Sequence, residues 1–193
     1  MKKVGLYFGS FNPIHSGHLI IAEHFATRTE LDEVWLVVSP QNPFKNVSEL
    51  APEAHRLEMV KLAIINNPKL QACDAEFAME KPSYSIDTLN LLSKNFPFYS
   101  FTLLIGEDNV TSFHKWKEAE NILNRYAIKI FPRLHNGVRS ENTLIGKNVA
   151  MTEAPIIEIS STYIRKSVKA SESIRYLTPE GISDYINLHK LYR

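Results

Sequence analysis

Cysteine is nearly absent from this chain: Cys73 stands alone among 193 residues, so no internal disulfide can form. A reducing cytoplasm is the expected setting. Long apolar runs are missing too, and none approaches the ~20 residues that a membrane helix needs. The run Val4 to Phe8, just after Met1, is too brief for a signal peptide or a span. No sign of charge dominates, with 22 Lys and Arg against 21 Asp and Glu. That balance argues against a general nucleic-acid coat but leaves room for a local basic pocket. There is no internal repeat and no low-complexity tract. What is present, 44% hydrophobic and 22% charged residues, suits one compact domain. A core of that size needs no disulfide or metal to hold it.

Strand and helix signals alternate along the chain. Val4 to Phe8, Val34 to Val38, Leu70 to Cys73, Phe101 to Ile105 and Tyr126 to Phe131 are short apolar runs, and Val149 to Thr152 and Ile156 to Ile159 look extended. Between them, His15 to Thr27 has helical spacing, Pro52 opens a helix that stops at Asn66-Asn67-Pro68, and Ser83 or Ser85 caps another. Trp116 to Asn124 and Pro179 to His189 also read as helices, with Ser161 capping a short one before the last. Leu134 to Asn148 is polar and aperiodic, as expected of a long surface loop. Continuous rather than alternating strands imply a mostly parallel sheet with helices on both faces, an α/β three-layer sandwich. Ligands on such sheets bind beyond the carboxyl ends of the strands, here Phe8, Ser39, Ile105 and Ile159.

Two segments sit at such ends. Gly9-Ser-Phe-Asn-Pro-Ile-His-Ser-Gly-His-Leu19 joins a strand to a helix. Amides at a helix start favour an anion, and glycine at 9 would let the backbone approach a phosphate. His15 and His18 lie three residues apart and project from one face, beside the same amides. A lone histidine there would be structural; the pair suits a triphosphate and its developing charge. Zinc is a weaker reading: His24 is badly spaced as a third ligand, and no His-Glu-x-x-His helix occurs. The second segment, Ile159-Ser-Ser-Thr-Tyr-Ile-Arg165, presents three hydroxyls at another helix start, and Arg165 lies one turn on. Alone it would be an ordinary cap. With the first it forms the other wall of a phosphate cleft.

These motifs resemble the His-x-Gly-His and Ile-Ser-Ser-Thr-x-Ile-Arg signatures of the nucleotidyltransferase superfamily. Pro40 to Lys45, Arg56 to Met59, Lys81-Pro-Ser-Tyr-Ser-Ile-Asp-Thr-Leu89, Ile105-Gly-Glu-Asp-Asn109 with Phe113 and Trp116, and Tyr185 to Tyr192 narrow the likeness. The set is similar to the bacterial nicotinate mononucleotide adenylyltransferase family, over residues 4 to 192. The resemblance implies a Rossmann-like fold in a single domain, with the segment from about 160 to 193 packed as a small subdomain. It implies transfer of the adenylyl group of ATP to nicotinate mononucleotide, giving deamido-NAD and pyrophosphate, with no nucleic-acid or membrane partner.

Site roles follow from the same likeness. His18, Lys45 and Arg165 would meet the α- and β-phosphates, and His15 the triphosphate and its Mg²⁺, which sits mainly on phosphate oxygens rather than on protein ligands. Gly9, Ser10, Phe11 and Gly17 would belong to the ATP site, as would Ser161 and Thr162. Gly106 and Asp108 would bind the ribose, and Ile159 with Ser160 the adenine. Tyr84 and Ser85 would receive the nicotinate carboxylate, with Thr88, Trp116 and Arg133 completing the mononucleotide site. Three positions depart from the family pattern: Phe8 replaces a glycine, Asn12 an aspartate and Phe44 a histidine. Other readings are a different adenylyl- or cytidylyltransferase and a catalytically dead nucleotide sensor. A class I aminoacyl-tRNA synthetase fragment would need a Lys-Met-Ser-Lys-Ser loop, which is absent.

Overall fold

The structure is a computed structural model, and it describes residues 1–41, 50–134 and 144–193. Six strands form one sheet: β1 (Lys2–Gly9), β2 (Glu33–Val38), β3 (Leu70–Cys73), β4 (Tyr99–Gly106), β5 (Ala127–Phe131) and β6 (Val149–Met151). Their spatial order is β3-β2-β1-β4-β5-β6, and every pairing is parallel. The order reverses between β1 and β4. At that point the connections leave in opposite directions and open a crevice at the carboxyl ends.

Alternation along each strand splits the interior into two cores. On one face, Tyr7, Val34, Leu36, Val38 and Leu104 pack under α1 (Ser16–Arg28), α2 (Glu53–Ile64), α5 (Ser161–Lys169) and α6 (Ile182–Leu188). On the other, Val4, Leu6, Trp35, Val37, Leu103 and Ile105 pack under α3 (Ser85–Asn95) and α4 (Ala119–Arg125). Both faces are covered, so the strands carry no polar alternation. Short 3₁₀ segments at Ala75–Ala78 and Glu107–Lys115 link the layers on the second face. No helix of the described residues is long and apolar enough to cross a membrane.

Several element boundaries differ from the sequence reading. Residues 156–159 join no strand; the edge strand β6 ends at Met151, and Ile156 is left exposed. Ser160, not Ser161, caps α5, its Oγ accepting from the Tyr163 N–H at 3.1 Å. Pro52 is the residue before α2 rather than its first turn. Trp116 ends the second 3₁₀ segment, and α4 starts only after Glu118, which has a left-handed φ of 52°. Most of the predicted 134–148 loop lies outside the described residues.

Candidate active site

A cavity of about 540 Å³ opens beyond the ends of β1 and β4. One end of it is built by the turn between β1 and α1. Phe11 has a left-handed φ of 44°, which folds its ring back over Gly9. A Cβ at Gly9 would lie 2.7 Å from that ring. Gly9 is therefore required by Phe11, and the expected close approach of its backbone to phosphate is not what the packing demands. Gly17 likewise makes room for Ile157 and the His15 ring, and it stands behind the cavity wall.

His15 is the residue before α1, and its N–H donates to His18 Nδ1 at 3.2 Å. The two rings stack with centroids 3.6 Å apart. Because His18 Nδ1 accepts, a neutral His18 ring carries its proton on Nε2. Burial, with the positive charge of Arg133, pushes the His15 pKa down to about 4. His15 is therefore a neutral ring at physiological pH. Among the described residues, two buried side-chain polar atoms lack a partner, Ser10 Oγ and His15 Nδ1, and both residues line the cavity. Both atoms are closed off from solvent, and His15 Nδ1 faces Gly17, behind the cavity wall.

The opposite wall comes from α5. Arg165 Nη1 donates to the Asn12 carbonyl at 3.1 Å, and Ser161 Oγ donates to the Pro13 carbonyl at 2.9 Å. Ser160 Oγ is already used as the helix cap. These side chains lace α5 to the β1–α1 turn; Thr162 also lines the cavity, whereas Ile159 does not. Asn12 is buried, its Oδ1 accepting from the Ala51 N–H at 3.0 Å and the Tyr192 hydroxyl at 2.9 Å. A carboxylate would accept the same two bonds, so this departure changes little in the frame. Lys45 and Phe44 lie outside the described residues.

The far end is lined by Tyr84 and Ser85, at the start of α3, and by Trp116. Between the ends stand Gly106 and Asp108, with Arg133 Nη1 at 3.6 Å from Asp108 Oδ2. Thr88 is not part of this surface: it is fully buried, and its hydroxyl donates to Glu76 Oε1 at 2.8 Å. Ser83 Oγ donates to the other oxygen of the same buried carboxylate at 2.6 Å. Thr88 thus fixes the start of α3 from behind. No group of three or more His, Cys, Asp or Glu able to hold a metal exists among the described residues.

Comparison with known proteins bears on this arrangement. Residues 6–167 match the cytidylyltransferase-like family model, a span that includes both motifs. A protein of Cytophaga hutchinsonii, named a probable nicotinate-nucleotide adenylyltransferase, is 50% identical over 192 residues, covering 98% of each chain. One of Christiangramia forsetii, named likewise, is 45% identical and covers 100% of this chain and 99% of its own. The chain belongs to the nicotinate-nucleotide adenylyltransferase family. The fold is also that of the Plasmodium falciparum nicotinic acid mononucleotide adenylyltransferase complexed with NaAD, at a TM-score of 0.80 and 22% identity, with 100% and 98% of the chains covered.

Within this adenylyltransferase fold, some site residues escaped the sequence reading. Arg56 is 1% exposed and donates to four carbonyls: Ala51 at 2.9 Å, Ser10 and Ser39 at 2.7 Å, and Pro40 at 2.8 Å. It ties the β1–α1 turn to both flanks of the 42–49 segment. Arg56 was visible only as part of a family match, since nothing local announces a buried guanidinium. Glu76 followed no pattern at all. Lys115 and Lys117 flank Trp116 and line the cavity, and only their spacing around the tryptophan could have flagged them.

Proposed function

We propose that this chain transfers the adenylyl group of ATP to nicotinate mononucleotide, releasing pyrophosphate and forming deamido-NAD. The observation that carries the reading is the two-ended cavity. One end gathers Ser10, His15, His18 and Arg165; the other has a helix start and an indole face. The attacking mononucleotide phosphate is already an anion, so no general base is needed. The work is alignment and charge stabilisation. His18 and Arg165, together with Lys45, take the α- and β-phosphates, and His15 with Ser10 takes the outer phosphates. Gly106 and Asp108 hold the ribose, and the α5 start with Thr162 borders the adenine. Mg²⁺ would neutralise triphosphate charge. Imidazoles, amides and hydroxyls, with Asp108 already paired to Arg133, fit a metal carried on phosphate oxygens better than one held by protein carboxylates.

At the other end, Trp116 offers a flat face to a pyridinium-type ring. Tyr84 gives no side-chain cap to α3, so first-turn amides such as that of Ser85 stand ready for a carboxylate. An amide-rich site prefers the acid to the carboxamide, because a carboxylate only accepts. Burial raises the Cys73 thiol to about 11, which keeps it protonated at physiological pH.

Pyrophosphate release from ATP and Mg²⁺ that depends on added nicotinate mononucleotide tests the reaction. His18→Ala should lower the turnover by about 10²–10³-fold, the cost of losing one transition-state donor. Turnover within a few-fold of the parent would remove His18 from the mechanism. ATP binding without any mononucleotide-dependent pyrophosphate would favour a sensor instead.

A further inference from the structure

Tyr7 carries a hydroxyl that no contact among the described residues explains. The residue stands near the end of β1, where the strand order reverses, and it lines the cavity at 7% exposure. Phe11 and Phe131 hold its ring edge-on, with centroids 5.8 and 5.6 Å away at 89° and 81°. A phenylalanine would make both contacts equally well. The hydroxyl has no hydrogen-bond partner among the described residues, and unlike Ser10 Oγ and His15 Nδ1 it is not closed off from solvent. The tip of the side chain therefore opens on the cavity. A nearly buried hydroxyl without a partner costs stability, and a ligand acceptor would offset that cost. Burial also lifts the phenol above its ordinary pKa, against the pull of Arg133, so the group stays protonated and able to donate.

The neighbours of Tyr7 say which acceptor it meets. The His18 ring centroid lies 6.1 Å from its own, and Arg133 and Asp108 are near enough for their charges to act on the phenol. In ATP the α-phosphate stands between the ribose and the β-phosphate. With the ribose at Asp108 and the α- and β-phosphates at His18, a donor close to both meets the α-phosphate. We propose that Tyr7 is a further catalytic residue, its hydroxyl donating to a non-bridging oxygen of that phosphate. The inference rests on the adenylyl-transfer reading. In the step itself, a mononucleotide phosphate oxygen bonds to the α-phosphorus as the bond to the β-phosphate oxygen breaks, and pyrophosphate leaves with that electron pair. Tyr7 keeps its proton throughout. Its contact serves the charge that the α-phosphate oxygens carry in the transition state, and the aromatic clamp holds the donor in place beforehand.

The test measures kcat and KM in the parent and in Tyr7→Phe, with ATP, Mg²⁺ and nicotinate mononucleotide, beside thermal unfolding of the ligand-free chain. Tyr7→Phe should lower kcat about ten-fold and raise KM for ATP about three-fold, the loss of one hydrogen bond to a charged group that other donors also hold. KM for the mononucleotide should move less than about two-fold. The Tm should stay within about 2 °C of the parent or rise, because no protein partner is lost. A kcat within about two-fold of the parent, a loss confined to the mononucleotide KM, or a Tm lower by more than about 5 °C would overturn the proposal. The last would mean that the hydroxyl braces the protein instead. Calorimetric titration with ATP and with adenosine separates this outcome from failure of the transfer reading. A parent that binds ATP but releases no pyrophosphate with the mononucleotide sinks the transfer reading. Tyr7→Phe must then still weaken ATP binding about three-fold and leave adenosine binding unchanged. Unchanged ATP binding, or an equal loss for adenosine, would sink the Tyr7 assignment.

Discussion

Arg56 holds the walls of the cavity without lining it. Its four acceptors are all main-chain carbonyls, drawn from the phosphate turn, the end of β2 and the approach to α2. Burial works against its charge, and the fork of donors offsets that cost. Arg56→Ala would strand those carbonyls and leave a void, so it should lose about 3–4 kcal/mol in denaturant unfolding. Arg56→Lys keeps the charge but cannot reach four acceptors. It should fold, with KM for ATP raised more than kcat is lowered. An unchanged KM for ATP would reduce Arg56 to a packing residue.

His15 gives a pH prediction at the same scale. Its folded pKa of about 4 lies below the 6.5 of an ordinary histidine, so the unfolded chain binds the extra proton in between. Stability from His15 is present above pH 6.5 and is lost as pH falls toward 4. The loss reaches roughly 3 kcal/mol at most, counting 1.36 kcal/mol for each pH unit. His15→Gln should flatten the stability profile between pH 6.5 and 4 relative to the parent. Parallel profiles would show that the ring is not held neutral.

Among the elements, α5 and the residues after α6 close the phosphate end. The Tyr192 hydroxyl is kept protonated by burial, though Arg56 and Arg165 pull the other way. It donates to Asn12 beside the Arg165 contact. Tyr192→Phe should cost about 1 kcal/mol in thermal unfolding and raise KM for ATP, because the turn loses one of its restraints. An intact KM would make Tyr192 a structural tether alone.

This element also shows what was legible in the sequence and what was not. The strands β1, β2 and β4 were plain because both faces of their central residues are buried, and burial leaves those residues mostly apolar. The start of α1 was readable from the motif, and His15 and His18 do meet. The role of Ser160 was misassigned to Ser161 because three hydroxyls in a row are equivalent until the backbone chooses one. Residues 156–159 looked like a strand since apolar composition does not say whether a partner edge exists. The Glu76–Ser83–Thr88 cluster was invisible: its members are 7 and 12 residues apart, and only the fold brings their oxygens together.

For the whole molecule, the sheet acts as a partition between two cores that share few side chains. ATP at about 100 times its Kd should raise the unfolding free energy by about 2.7 kcal/mol and the Tm by about 5–11 °C. If the segment from about 160 to 193 is a subdomain of its own, ATP should move its transition with the rest, because Arg165 and Ser161 hold it to the β1–α1 turn. Two transitions, only one of them ATP-dependent, would contradict that coupling. The cavity straddles the partition. Tyr7, His18 and Phe131 reach it from the first side, Tyr84 and Trp116 from the second. The two substrates therefore press on different halves of the interior, and the order in which they arrive should be written in the amides. ATP alone should slow hydrogen exchange in α1 and α5. Slowing in α3 should appear only once the pyridine half is seated.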